Sequence, residues 1–220
     1  MQIGGSAFNK CSMVRLVKMP SALKSIDSNA FTNAGLSVCD LSNAENLAEI
    51  GGNAFMGCTK LNSPNGLPKN IATIGNGAFS RCALLDITIS ADRHQQLKSI
   101  GSSAFESAKI NVTSLPERLE KIYSMAFANI VGTLSFDSIP EATTVLGNRA
   151  FAGAKWDNSS KTLTLLNPNF VIGETDTGYH NLALYNLRDI TALRTVNAEM
   201  AESLRNSNGL GSNIADIDVE

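Results

Sequence analysis

Ile26-Asp27-Ser28-Asn29-Ala30-Phe31 is followed by Ile50-Gly51-Gly52-Asn53-Ala54-Phe55 and then by Ile74-Gly75-Asn76-Gly77-Ala78-Phe79. The phrase is an aliphatic residue, usually Gly, two small or polar residues, then Ala-Phe. It closes seven times, at Phe8, Phe31, Phe55, Phe79, Phe105, Phe127 and Phe151, with gaps of 23, 24, 24, 26, 22 and 24 residues. A repeat of this length marks a solenoid, in which each unit cannot bury its own apolar face and must stack on its neighbours.

Each place in the phrase has a physical reading. Ile3, Ile26, Ile50, Ile74, Ile100, Ile122 and Leu146 fill the aliphatic slot. Gly4, Gly51, Gly75, Gly101 and Gly147 follow it, which suits a tight turn at positive φ. The next two residues, such as Ser102-Ser103, suit the cap of a single helical turn that opens at Ala. Ala recurs in all seven copies, as expected where coils approach closely, and Phe fills the space between coils.

Working outward, β-rich runs lie between phrases at 14–19, 36–41, 84–89 and 110–115. One strand per unit predicts a parallel sheet on one face. Pro20, Pro68, Pro116 and Pro140 end these runs, with Ser42 and Ser90 standing where Pro is usual. The rhythm breaks after Phe151. Residues 156–161 read as an insertion before a strand at 162–166, and Tyr179 stands in for Phe in a degenerate copy. Strands at 182–187 and 192–196 then lead to Asn197, which can cap a helix from Ala198 to about Arg205.

The expected organisation is one domain over 1–220, with repeats over about 1–192 and a C-terminal cap over about 193–220. The chain opens inside a phrase, from which we expect an N-terminal part of the parent protein to be missing. Apolar residues make up 43% and charged residues 17%, enough for a core and too apolar for disorder. Net charge is −2 with no long basic run, which argues against nucleic acid as a partner. No apolar stretch is long enough to span a membrane.

The pattern Cys-x-x-Leu-x-x-Ile-x-Leu-Pro-x-x-Leu-x-x-Ile-Gly-x-x-Ala-Phe resembles the BspA-like (Treponema-type) leucine-rich repeat. Its best copy runs from Cys11 through Met19-Pro20, Leu23 and Ile26 to Ala30-Phe31, and Val196-Asn197-Ala198-Glu199 is similar to the family's usual C-terminal end. The resemblance implies an α/β repeat fold, a right-handed leucine-rich-repeat solenoid with a parallel β-sheet on one face and short helical turns and coils on the other. It also implies a bacterial protein, displayed on the cell surface or secreted, that is not an enzyme. Its expected role is adhesion, recognising host matrix or plasma proteins or other cells' surface proteins. The rival readings are a carbohydrate-binding surface module and a spacer for a missing domain.

Residues between the apolar strand places supply the candidate protein-binding face: Arg15, Lys18, Asp40, Asp86 and Asn111. Trp156, the single tryptophan, reads as an interface anchor or as a ring folded back over its coil, the second being favoured. Cys11, Cys58 and Cys82 each lie three residues after a repeat Phe, which reads as a ladder of buried free thiols. Their spacing lacks the paired grouping of a zinc site. His94 and His180 are too far apart to share a triad or a metal, and His94 reads as a solvated loop residue. Gly75-Asn76-Gly77 is a repeat turn rather than a phosphate loop, since no Lys-Ser/Thr follows. The run 174–177 reads as an ordinary polar loop in preference to a calcium loop. No catalytic residue, cofactor or metal ligand is assigned.

Overall fold

A computed structural model describes residues 1–63, 65–167, 171–172, 184, 187, 189–206, 210 and 214–219. The chain winds as a parallel β-solenoid of about eight turns, with coils here counted from the phrase that opens each one. The longest sheet is built from eight two-residue strands, Gln2–Ile3, Ser25–Ile26, Glu49–Ile50, Thr73–Ile74, Ser99–Ile100, Lys121–Ile122, Val145–Leu146 and Val171–Ile172. All its pairings are parallel, and each aliphatic residue sits beside the same residue of the next coil. The N–H that follows the aliphatic residue donates to the aliphatic carbonyl of the coil before, as Gly51 does to Ile26 at 2.7 Å and Gly75 to Ile50 at 2.7 Å.

The sequence pattern places one strand per unit in the mid-unit runs, whereas the structure has two strand columns. The mid-unit strands are shorter than expected: Leu16–Lys18, Val38–Asp40, Ile87–Ile89 and Ile110–Val112. They do not form one continuous sheet. Leu16–Lys18 pairs with Val38–Asp40, while Ile87–Ile89, Ile110–Val112, Thr133–Leu134 and Lys155–Trp156 form a separate four-stranded sheet. A third sheet joins Ser138–Ile139, Thr162–Leu165, Ala192–Thr195 and Asp216–Val219.

The helical turn expected at Ala-Phe is instead a pair of tight turns. In all seven phrases the residue before Ala and the second residue after Phe take positive φ, from Ser6 and Lys10 to Arg149 and Gly153. Between these two left-handed residues the chain hydrogen-bonds alternately to itself and to the next coil. Phe31 N donates to Ala54 O at 2.7 Å, Phe55 N to Ala78 O at 2.8 Å and Phe79 N to Ala104 O at 2.8 Å. The backbone polar groups of the turn are thereby satisfied along the stack.

This geometry corrects the reading of the phrase glycine. Gly51, Gly75 and Gly101 do not have positive φ. They lack a side chain because the neighbouring coil is too near: a Cβ on Gly75 would lie 2.7 Å from the backbone of Gly51 and Gly52. The phenylalanines stack in one column from Phe8 to Phe151, with ring centroids 5.0 to 5.7 Å apart and planes within 10° of parallel.

A second buried column follows the mid-unit strands. Pro20, Pro68, Pro116 and Pro140 each accept a hydrogen bond from the N–H three residues on, and Ala44 and His94 accept the same bond from Leu47 and Leu97. Ala44 and His94, not Ser42 and Ser90, therefore hold the proline place. Short insertions ahead of them displace the register.

Near the end, Asn197 caps the helix Ala198–Arg205 as expected, its side chain accepting from Met200 N at 2.8 Å. The helix buries Met200, Ala201 and Leu204 and exposes Glu199, Glu202 and Arg205. Tyr179, His180, the run 174–177 and most of the strand expected at 182–187 lie outside the described residues.

Candidate interaction surface

The mid-unit strands alternate, sending aliphatic residues into the core and polar residues outward. On the four-stranded sheet Ile89, Val112, Leu134 and Trp156 form the inward column. Thr88, Asn111, Thr133 and Lys155 form the outward one. Asn111 is locked into this ladder, its Oδ1 accepting from Thr133 N at 3.0 Å and from Thr133 Oγ1 at 3.3 Å. Lys18 and Asp40 stand in register on the adjoining pair of strands. The structure thus brings Lys18 beside Asp40, and places Asn111 beside Thr88, two residues after Asp86. These are two separate patches along the stack.

Asp40 is the most tightly held of these residues. Its carboxylate accepts from Ser42 N at 3.0 Å, Ser42 Oγ at 2.7 Å, Asn43 Nδ2 at 3.0 Å and Asn65 Nδ2 at 2.6 Å. Partial desolvation opposes ionisation, but these donors outweigh it and hold the carboxyl below the usual carboxylate range. Asp40 is therefore a clamp between coils two and three. Asp86 pairs with Lys109 at 3.1 Å, and since both are well exposed the pair adds little stability. Arg15 is exposed and donates to the carbonyls of Ser12 and Gly35.

Trp156 does not reach the surface. It is in register with Leu134, only 4% exposed, and its ring meets Phe136 and Phe151 edge-on at 4.8 and 5.6 Å. It is a core residue and leaves the candidate face.

His94, expected to be solvated, is fully buried. Its Nδ1 lies 3.2 Å from both the N–H and the carbonyl of Ser90. Nε2 makes no hydrogen bond of good geometry, although the Leu67 carbonyl is near enough to favour a protonated ring. Burial dominates and lowers the imidazole pKa.

Cys58 and Cys82 donate their thiol hydrogens to the carbonyls of Phe31 and Phe55 at 3.0 and 3.1 Å, a ladder in step with the rings. Cys11, at the first coil, is only partly covered, and all four cysteines are free. Burial pushes Cys39 up to about 12 and Cys58 up to about 11. Such thiols are poor nucleophiles and poor metal ligands.

Sequence reading missed Asn65, Asp92 and Arg93. Arg93 is exposed, and its guanidinium donates to the Asn65 carbonyl, tying coil four to coil three. The signal available was the gap from Phe79 to Phe105, at 26 residues the longest in the chain, which marks an insertion.

Parallel coils of 22 to 26 residues, with one aliphatic strand place, an Ala-Phe turn and a proline column, define a solenoid of the leucine-rich-repeat class. The chain belongs to the BspA type leucine rich repeat family, whose model matches six copies over residues 1–94 and 40–159. No curated protein matches it. Among solved structures, it is similar to a leucine rich cell surface protein from Faecalibacterium prausnitzii A2-165, with a TM-score of 0.58 and 18% identity over 99% of this chain and 64% of that one. It is also similar to a leucine-rich repeat protein from Bacteroides ovatus ATCC 8483, with a TM-score of 0.58 and 19% identity over 100% of this chain and 58% of that one. The chain thus spans less than two thirds of the length of either, and at these identities the likeness shows the fold alone. Among the described residues no helix is long and apolar enough to cross a membrane.

Proposed function

We propose that this chain is a non-enzymatic protein-recognition module, displayed at the cell surface or secreted, that binds host or other cells' surface proteins. The observation that carries the reading is the outward ladder of Thr88, Asn111, Thr133 and Lys155, extended in kind by Lys18 beside Asp40. Such a surface is broad, polar and rigid. It offers hydrogen-bond donors and acceptors at the strand spacing of about 4.8 Å, which suits complementarity with another protein over area rather than capture of a small molecule in a cleft. Repeat membership supports the same reading, since stacked repeats make extended binding surfaces.

Surface plasmon resonance of the purified chain over immobilised matrix and plasma proteins tests this. Saturable binding in the micromolar range or tighter, weakened by Lys18→Glu together with Lys155→Glu, is the expected result. Asp40 is left intact because its clamp is structural. Absence of saturable binding to every immobilised protein would overturn the reading.

A further inference from the structure

Beside the outward ladder, where each coil turns from its mid-unit strand into the proline column, the surface is not flat. Four recesses follow one another along the stack, of about 370, 530, 420 and 830 Å³. Each shares lining with the next through one short segment, the insertion of coil four. Arg93 lines the first and second, Asp92 the second and third, and Ala91 the third and fourth. Insertions into a repeat map to loops on one face, which is often the binding face. This insertion is also held in place: Ala91 N donates to Ser114 Oγ at 2.8 Å, Arg93 to the Asn65 carbonyl, and His94 N to Ser90 O at 3.0 Å. A recess preorganised in this way loses little entropy when it is filled.

The two ends of the trough differ in chemistry. At coils two and three, Lys69 and Arg93 outnumber Glu45. At coils five to seven, Glu117 and Glu141 face the last recess with no cation in its lining, over a floor that includes Leu115, Pro140 and Leu166. Arg118, in the third recess, turns to Gln96 at 3.4 Å. No aromatic ring lines any of the four, and so the usual stacking platform for a sugar is absent from them.

We infer that this trough binds an extended peptide segment of a partner protein. The segment places an acidic side chain at Lys69 and Arg93 and an apolar and a basic side chain at Leu115, Pro140, Glu117 and Glu141. From coil three to coil six is three strand spacings, roughly 15 Å, which an extended chain covers in about five residues. The inference rests on the protein-recognition reading above and moves the decisive contact from the flat ladder to the trough.

Two fluorescein-labelled peptides of one composition test it by fluorescence anisotropy on the full chain. In one, an Asp-Glu pair is separated by a three-residue Ser-Gly spacer from Leu-Lys-Arg; in the other the same residues alternate in charge. The segregated peptide is expected to bind roughly tenfold tighter, and Lys69→Glu and Glu141→Lys are each expected to weaken it roughly tenfold, with Lys18→Glu without effect. Circular dichroism checks that the variants keep the fold. Equal binding of the two peptides, binding of neither, or a loss at Lys18→Glu with none at Lys69→Glu overturns the inference. The two readings fail separately. An immobilised protein whose affinity falls with Lys18→Glu and Lys155→Glu but not with Lys69→Glu sinks the trough and leaves recognition standing. Tight binding of the segregated peptide without any matrix or plasma protein bound upholds the trough and sinks recognition of those proteins.

Discussion

Phe79 lies face to face with Phe55, the ring centroids 5.2 Å apart and the planes 3° from parallel. On its other side Phe105 repeats the arrangement at 5.5 Å and 3°. Each ring is thus shared between two coil interfaces, and the column couples neighbours that have little else large between them. Phe79→Ala opens a cavity that touches three coils and is expected to destabilise the protein by about 3–5 kcal/mol. Phe8 is 37% exposed and stacks on one ring, so Phe8→Ala is expected to cost less than half as much. Urea titrations of the two variants check this, and equal midpoints would deny the ring column its role in joining coils.

Gly75 and Gly4 hold the same place in the repeat yet should respond oppositely to a methyl group. A Cβ on Gly75 would sit 2.7 Å from the carbonyl carbon of Gly51, and backbone there has no room to give. Gly75→Ala must push two coils apart and is expected to cost about 1–3 kcal/mol. Nothing lies within 4 Å of the same atom on Gly4, because no described coil stacks on that side. Gly4→Ala is expected to be neutral within about 0.5 kcal/mol. Thermal melts that place both variants together would show that the glycine is selected by the turn and not by stacking.

Those two residues also mark what the sequence could and could not disclose. The Ala-Phe columns were legible because a buried place repeated every coil restricts the residue in every copy. The long sheet was not, since its strands are two residues long, too short for alternation to register. The phrase glycine was assigned to a left-handed turn because its near approach to Gly51 or Ser28 is a relation between coils, which spacing along the chain does not encode. In fact the left-handed places fall on residues such as Asn53, Arg81 and Met125. His94 was misplaced for a related reason: an insertion slides Ser90 to the expected number and His94 to the buried proline place. The tether from Arg93 to Asn65 joins residues 28 apart and was invisible to any local pattern.

The thiols should react according to burial. Cys39, Cys58 and Cys82 are fully covered, with Cys39 pushed up to about 12, Cys58 to about 11 and Cys82 well above the ordinary range by desolvation. A thiol needs both access and ionisation to attack a disulfide reagent. Native protein at pH 8 is expected to label at Cys11 alone, and urea-unfolded protein at all four. Peptide mapping after labelling checks it. Rapid native labelling of Cys58 or Cys82 would show that the coils open readily between the rings.

His94 gives the stack an acid sensitivity of its own. Burial lowers its pKa in the folded state, Arg93 adds to the lowering, and Asp92 and the Leu67 carbonyl oppose it without reversing the sign. Unfolded, it titrates near its ordinary value of 6.5. Below that value the unfolded chain binds a proton that the folded chain refuses, so the stability owed to the neutral ring is complete above about pH 6.5 and is lost as pH falls towards the folded pKa. His94→Ala places in coil four the residue that coil two carries as Ala44 in the same column. At pH 7.5 the variant is expected to be the less stable, having lost a buried side chain. As pH falls from 6.5 towards 5 the wild type alone is expected to lose stability, so the two urea midpoints converge. His180 and the carboxylates are common to both proteins and cancel in the difference, and the clamp on Asp40 weakens only at more acid pH because its carboxyl is held below the usual range. Parallel midpoints across the whole interval would show that His94 takes up its proton inside the fold as readily as in the unfolded chain.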